Sequence, residues 1–106
     1  MSGSFRRYEI LLPLAFNDGG RVPDPLIAET LSELEQQFGA VSCETQTIRG
    51  LWQHEGQVYR DNLVRLFVDV PDLQDSRDFI ASFKARLKAR FRQLDIWITS
   101  YPIDVI

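Results

Sequence analysis

The sequence predicts an α+β fold in which two amphipathic helices cover one face of a four-stranded antiparallel sheet. Three observations predict it. Four segments alternate apolar and polar residues at period two, two others carry apolar residues at helical spacing, and Gly, Pro, Asn and Asp clusters separate them. At 106 residues the chain has the length of one ordinary domain, read as residues 6–106 after an irregular, disordered start at 1–5.

The first strand runs from Arg7 to Phe16. Tyr8, Ile10, Leu12 and Leu14 share one face, with Arg7, Glu9 and Leu11 on the other. Asn17-Asp18-Gly19-Gly20 ends it with residues suited to positive φ and to a side chain bonding its own backbone. Asp24-Pro25 then opens a helix, as an acidic N-cap followed by proline at the first helical position. Ile27, Leu31, Leu34 and Phe38 form its apolar stripe, and Gly39 suits the left-handed cap that closes it.

Val41 to Trp52 alternates and reads as a second strand, in which Gly50 marks an expected bulge. Val58 to Val70 reads as a third, with Val64, Leu66, Val68 and Val70 on one face. The residues between them, His54-Glu55-Gly56-Gln57, predict a hairpin turn whose arm projects beyond the bulge. Asp75 and Ser76 are competent caps for a second helix, with Ile80, Phe83, Leu87, Phe91 and Leu94 as its buried stripe. Asp95 to Tyr101 is the fourth strand, which Pro102 breaks or confines to an edge.

The resulting order is β-α-β-β-α-β. Two right-handed crossovers joined by the central hairpin give the ferredoxin-like split arrangement, with the first and third strands central. The expected core is Ile10, Leu12, Leu14, Val64, Leu66, Val68, Ile96 and Ile98, under both helix stripes. Alternation then leaves Leu11 and Pro13, Leu63, Arg65 and Phe67, and Trp97 and Tyr101 on the uncovered face. Soluble monomers rarely expose contiguous apolar patches beyond roughly a few hundred Å². Leu11, Leu63, Phe67, Trp97 and Tyr101 are therefore interface candidates, and a partner that covers them is the expectation.

This order, with its apolar open sheet face, resembles small ferredoxin-like proteins that pair sheet to sheet as dimeric α+β barrels. It is also similar to short, uncharacterised prokaryotic proteins of about this length. The resemblance is one of topology across nearly the whole chain, and it implies a self-associating fold, a homodimer. In the enzymes of that group a cleft between sheet and helices holds a haem or a small aromatic substrate, usually beside a histidine or a polar cluster. Here His54 lies at the hairpin tip instead.

That hairpin is the densest group of chemically capable side chains: Arg49, Trp52, His54, Glu55, Tyr59, Arg60 and Asp61. Trp52 and Tyr59 are expected as cross-strand neighbours that stabilise the turn. The same Trp, Tyr and Arg residues are favoured anchors of interfaces, so the arm is a candidate grip on a partner. Arg49, Trp52, His54, Tyr59 and Asp61 are the candidates for a ligand cleft or a hairpin anchor.

Other readings are weaker. Lys84, Arg86, Lys88, Arg90 and Arg92 form a basic run near the end of the second helix, where cations complement the helix dipole. The net charge is −3, which disfavours a nucleic-acid partner. Leu63 to Val70 lacks the glycines of an RNA-recognition strand, leaving Phe67 alone as a stacking candidate. The sequence contains no P-loop, dinucleotide fingerprint, nucleophile elbow or metal-ligand spacing, and no cofactor or catalytic residue is implied. Cys43 is the single cysteine, read as a structural thiol in a reducing, cytoplasmic setting. The apolar run Tyr8 to Phe16 is too short to span a bilayer and carries Glu9 and Pro13, so neither a secretory signal nor a membrane segment is expected. The leading expectation is a self-associating interaction or regulatory module. The alternative is a small-molecule binder or enzyme of the dimeric-barrel kind, with its cleft near the hairpin.

Overall fold

The computed structural model describes residues 3–106. β1 (Phe5–Pro13) and β4 (Gln57–Pro71) pair antiparallel along the whole of β1, from Phe5 opposite Pro71 to Pro13 opposite Leu63. β5 (Ile98–Ile103) flanks β1 on its other side, and β2 (Ser42–Cys43) flanks β4, giving the order β2-β4-β1-β5. β3 (Ile48–His54) pairs with β4 beyond β2, over the stretch from Gln57 to Leu63. α1 (Asp24–Phe38) and α2 (Gln74–Arg90) supply the helices. Two helices and an antiparallel sheet with β1 and β4 at its centre match the predicted class. Among the described residues the sheet has five strands, not four.

The fifth strand comes from a break in the predicted Val41 to Trp52 segment. Cys43 lies opposite Leu66 and Ile48 opposite Leu63, so residues 44 to 47 span a stretch that β4 covers with 64 and 65. The surplus residues leave the ladder, which is the two-against-one logic of a bulge carried further. Gly50, expected to mark the bulge, is instead in register opposite Asp61. The break therefore lies earlier than the glycine suggested, in the polar Glu44-Thr45-Gln46-Thr47 stretch.

Several element ends also differ. β1 already includes Phe5, inside the segment read as irregular, and residues 1 and 2 lie outside the described residues. Pro23 occupies the N-cap of α1, and Asp24 lies within the first turn without a side-chain cap bond. Leu73 occupies the N-cap of α2. Ser76, one of the two expected caps, donates its hydroxyl to Pro71 O at 3.0 Å instead. Other local signals hold: Gly39 takes φ 86 and donates to Glu35 O at 2.7 Å, and Gly20 N donates to Asp18 Oδ1 at 2.8 Å.

The core lies between the sheet and the helices. Ile10, Leu12, Val64, Leu66, Val68 and Ile96 are buried against Leu34 of α1 and Ile80, Phe83, Leu87 and Phe91. Leu14 and Ile98 pack against this cluster while staying partly exposed. Each fully buried aliphatic side chain contributes roughly 1.5–3 kcal/mol through burial. Leu94, predicted in the α2 stripe, is exposed. The helix stops at Arg90, and Arg92 takes φ 52, so the chain turns away before another helical step is completed.

Candidate binding groove and open sheet face

The hairpin arm is built by local chemistry. His54 and Gln57 close the β3–β4 ladder, and the two residues between them both take positive φ, 50 at Glu55 and 79 at Gly56. This is the backbone of a type I′ turn, whose twist matches that of the flanking strands. Trp52 falls opposite Tyr59 as predicted, their rings stacked with centroids 4.5 Å apart and planes 18° apart. Trp52 Nε1 donates to Asp61 Oδ2 at 2.7 Å. The indole is thus held by a stack and by a charge-assisted hydrogen bond.

The open face divides into two unlike halves. At one end Arg7 donates to both oxygens of Asp69, at 2.7 and 2.9 Å, and its guanidinium lies 4.3 Å from the centre of the Phe67 ring. The Asp69 carboxylate raises the Arg7 pKa well above the ordinary arginine value. The Tyr101 hydroxyl donates to Glu9 Oε1 at 3.0 Å, and Arg65 lies between Glu44 and Glu9 at 3.3 and 3.9 Å. Phe67 and Tyr101, predicted as members of one apolar patch, therefore sit within a network of two arginines and three carboxylates.

The other half is apolar and concave. Leu11, Pro13 and Leu63 form its floor, with the arm on one side and the α2–β5 connection on the other. Gly50 leaves the floor open, since a Cβ there would come within 3.1 Å of Leu63 Cδ1. Trp52, His54 and Asp61 enter from the arm, and Trp97 and Lys88 enter from the far side. The groove encloses about 760 Å³. That is within the usual range for small-ligand sites.

The two predicted groups of site residues thus converge in part. Leu11, Leu63 and Trp97 from the open face meet Trp52, His54 and Asp61 from the hairpin in one groove. Arg49 and Tyr59 do not line it. Arg49, opposite Asn62, is exposed, and Tyr59 backs the Trp52 ring. Sequence reasoning missed the far wall, Lys88 and the Gln93 to Ile96 segment. No sequence signal marked it, since Leu94 continues the helical spacing of the α2 stripe. Trp97, read as part of a flat face, is 65% exposed at the groove rim. His54 is exposed, its Nε2 3.8 Å from Glu55 Oε1.

The basic run on α2 is largely neutralised from within. Arg90 donates to Glu33 Oε1 at 2.8 Å and to Thr30 Oγ1 at 2.9 Å, Arg86 approaches Glu33 at 3.9 Å, and Lys84 pairs with Asp95 at 3.1 Å. The Arg92 guanidinium sits over Phe16 at 3.8 Å. Three of the five cations are thereby held by carboxylates of the same chain, which removes much of the field that a nucleic acid would need. Among the described residues no cluster of three His, Cys, Asp or Glu side chains could hold a metal ion. No helix among them is long and apolar enough to cross a membrane.

Fold and groove together define a small α+β protein of ferredoxin-like topology, with a projecting hairpin arm and an aromatic-walled cleft. No protein-family model matches the chain, and no curated protein does. Solved structures do match. A phage SAM lyase in complex with S-methyl-5′-thioadenosine is 17% identical with a TM-score of 0.65, covering 99% of this chain and 93% of its own. The divalent cation tolerance protein CutA1 from Thermus thermophilus is 16% identical, with a TM-score of 0.63 and coverage of 95% and 85%. The periplasmic divalent cation tolerance protein CutA from Archaeoglobus fulgidus is 14% identical at the same TM-score and coverage. At these identities the likeness is one of fold.

Proposed function

We propose that this chain is a self-associating interaction or regulatory module, and that a second copy covers its arm and open sheet face. The observation that carries this reading is the arm. Among the described residues β3 pairs only with β4. The arm bears Leu51 at 67% and Val58 at 47% exposure, while its other face carries Trp52 and Tyr59. A two-stranded hairpin alone is at best marginally stable in water, and covering both faces would stabilise it. Trp97 and Tyr101 add exposed aromatic surface on the adjoining sheet.

A second copy suits this surface because both cations of the open face are already paired within the chain, Arg7 with Asp69 and Arg65 with Glu44 and Glu9, leaving a net of one negative charge. Two such faces meet with their cations already paired and a small surplus of negative charge, and an isologous contact closes on itself as a dimer. The absence of a cysteine pair within the sequence fits a reducing, cytoplasmic setting.

Sedimentation velocity from low micromolar to near-millimolar concentration tests the reading. The expected result is a dimer or larger species that dissociates on dilution. Val58→Asp on the arm and Trp97→Ala on the sheet should both shift it towards monomer without loss of the fold by circular dichroism. A single monomer boundary across the whole concentration range would overturn the proposal.

A further inference from the structure

The groove between the arm and the sheet has features that a contact between copies does not call for. Its floor of Leu11, Pro13 and Leu63 is apolar, and tryptophans reach it from opposite walls. Its polar lining holds Gln53, His54, Lys88, Gln93 and two carboxylates, of which Asp95 pairs with Lys84 and Asp61 lies beside Trp52. One oxygen of the Asp61 carboxylate accepts from Trp52 Nε1 at 2.7 Å, and among the described residues no group donates to the other. That oxygen is open to solvent within the groove, and as a carboxylate acceptor it favours a donor or a positive charge.

We infer that the groove binds a planar aromatic heterocycle carrying an N–H donor or cationic nitrogen, with its ring against the indoles and its nitrogen on Asp61. Trp52 is already fixed by Tyr59 on one side and Asp61 at its edge, so little side-chain freedom is lost on binding. The volume of about 760 Å³ admits a fused bicycle with substituents. A peptide strand is a poorer occupant. Leu11 N donates to Trp97 O, and the next backbone position on that side of β1 is Pro13, which has no N–H to extend a ladder. All the walls belong to one chain, but Leu11, Leu63, Trp52 and Trp97 also lie on the face assigned to a second copy, so the probe and the dimer contact compete for them and the titration is run at protein concentrations where sedimentation shows monomer.

The chain has two tryptophans, so its indole N–H groups provide two resolved NMR signals, both from groove residues. Titration with 2-aminobenzimidazole should move both, with a dissociation constant of roughly 1 mM or below for so small a probe. 2-Methylbenzoxazole, of similar shape without an N–H, should bind at least about tenfold more weakly. Asp61→Asn keeps an acceptor for Trp52 and should abolish that preference. Equal binding of the two probes to the native protein would overturn the inference. So would movement of other amides while both indole signals stay still, or no binding up to roughly 10 mM. The two-probe comparison on the native chain decides the matter even if the variant does not fold. Sedimentation of the same samples separates this result from the oligomeric one, since a monomer that binds would sink only the self-association reading.

Discussion

The indole N–H of Trp52 donates to Asp61 Oδ2 across 2.7 Å, joining two residues nine positions apart on opposite strands of the arm. The bond spans a diagonal of the ladder, since Trp52 itself lies opposite Tyr59. It therefore ties the stacked aromatic pair to the part of β4 that enters the main sheet. Asp61→Ala removes the acceptor and should cost about 1 kcal/mol. Thermal unfolding measures the cost. The Trp52 indole proton should move towards the position of a solvent-bonded indole, whereas Asp61→Asn should leave it nearly in place.

The turn makes a second prediction. Glu55 takes φ 50, a region that glutamate occupies at a cost and asparagine tolerates better. Glu55→Asn should stabilise the arm by about 0.5 kcal/mol, and Gly56→Ala should destabilise it by about 1 kcal/mol. Because the strands of the arm from Gly50 to Asp61 pair with each other alone, the changes should appear first in hydrogen exchange of amides in that stretch, and only weakly in global unfolding.

Arg90 links the helices. Its guanidinium reaches Glu33 at 2.8 Å, Thr30 at 2.9 Å and Glu29 at 3.6 Å, with only 13% of the side chain exposed. Arg90→Ala leaves the Glu33 carboxylate half-buried with Arg86 as a distant partner, and the expected loss is about 2 kcal/mol. Arg92→Ala, at an exposed position over Phe16, should lose less than about 1 kcal/mol. Urea denaturation of both variants checks the ranking, and equal losses would count against the assigned role of Arg90.

Cys43 gives the pH prediction. Cys43, read from the sequence as a structural thiol, is exposed on the edge strand β2, yet the protein atoms around the thiol displace part of its water and, with the Glu44 carboxylate second, raise its pKa above the ordinary value. The folded state thus holds the proton to higher pH than the unfolded chain does. The resulting stability is fully present below the unfolded pKa and is lost as pH rises through the folded one. Iodoacetamide should alkylate Cys43 more slowly in the folded protein than in urea-unfolded chain at mildly alkaline pH. The ratio should narrow as pH rises through the folded pKa.

Much of the fold was legible because its signals are local. The apolar stripe Ile80, Phe83, Leu87 and Phe91 follows from helical spacing, and Trp52 opposite Tyr59 follows from counting outward from the turn. The break after Cys43 was not legible. Threonine-rich alternation satisfies a strand pattern, and register against β4 alone reveals the surplus residues. The apolar open face was legible only in part. Alternation places Phe67 and Tyr101 correctly on that side, but it cannot show that Arg7 and Glu9 of the neighbouring strand engage them.

The sequence by itself determined the order of elements apart from the break after Cys43, the helix stripes up to Phe91, the hairpin turn and which residues face away from the helices, since each depends on neighbours a few positions apart. Tertiary structure alone decided two things. It brought Trp97 and Lys88 across the sheet from Trp52 and Asp61 to make a groove, and it set Glu33 of α1 against Arg86 and Arg90 of α2. Both are meetings of residues tens of positions apart, fixed by crossover packing and by side-chain reach, to which no local periodicity responds.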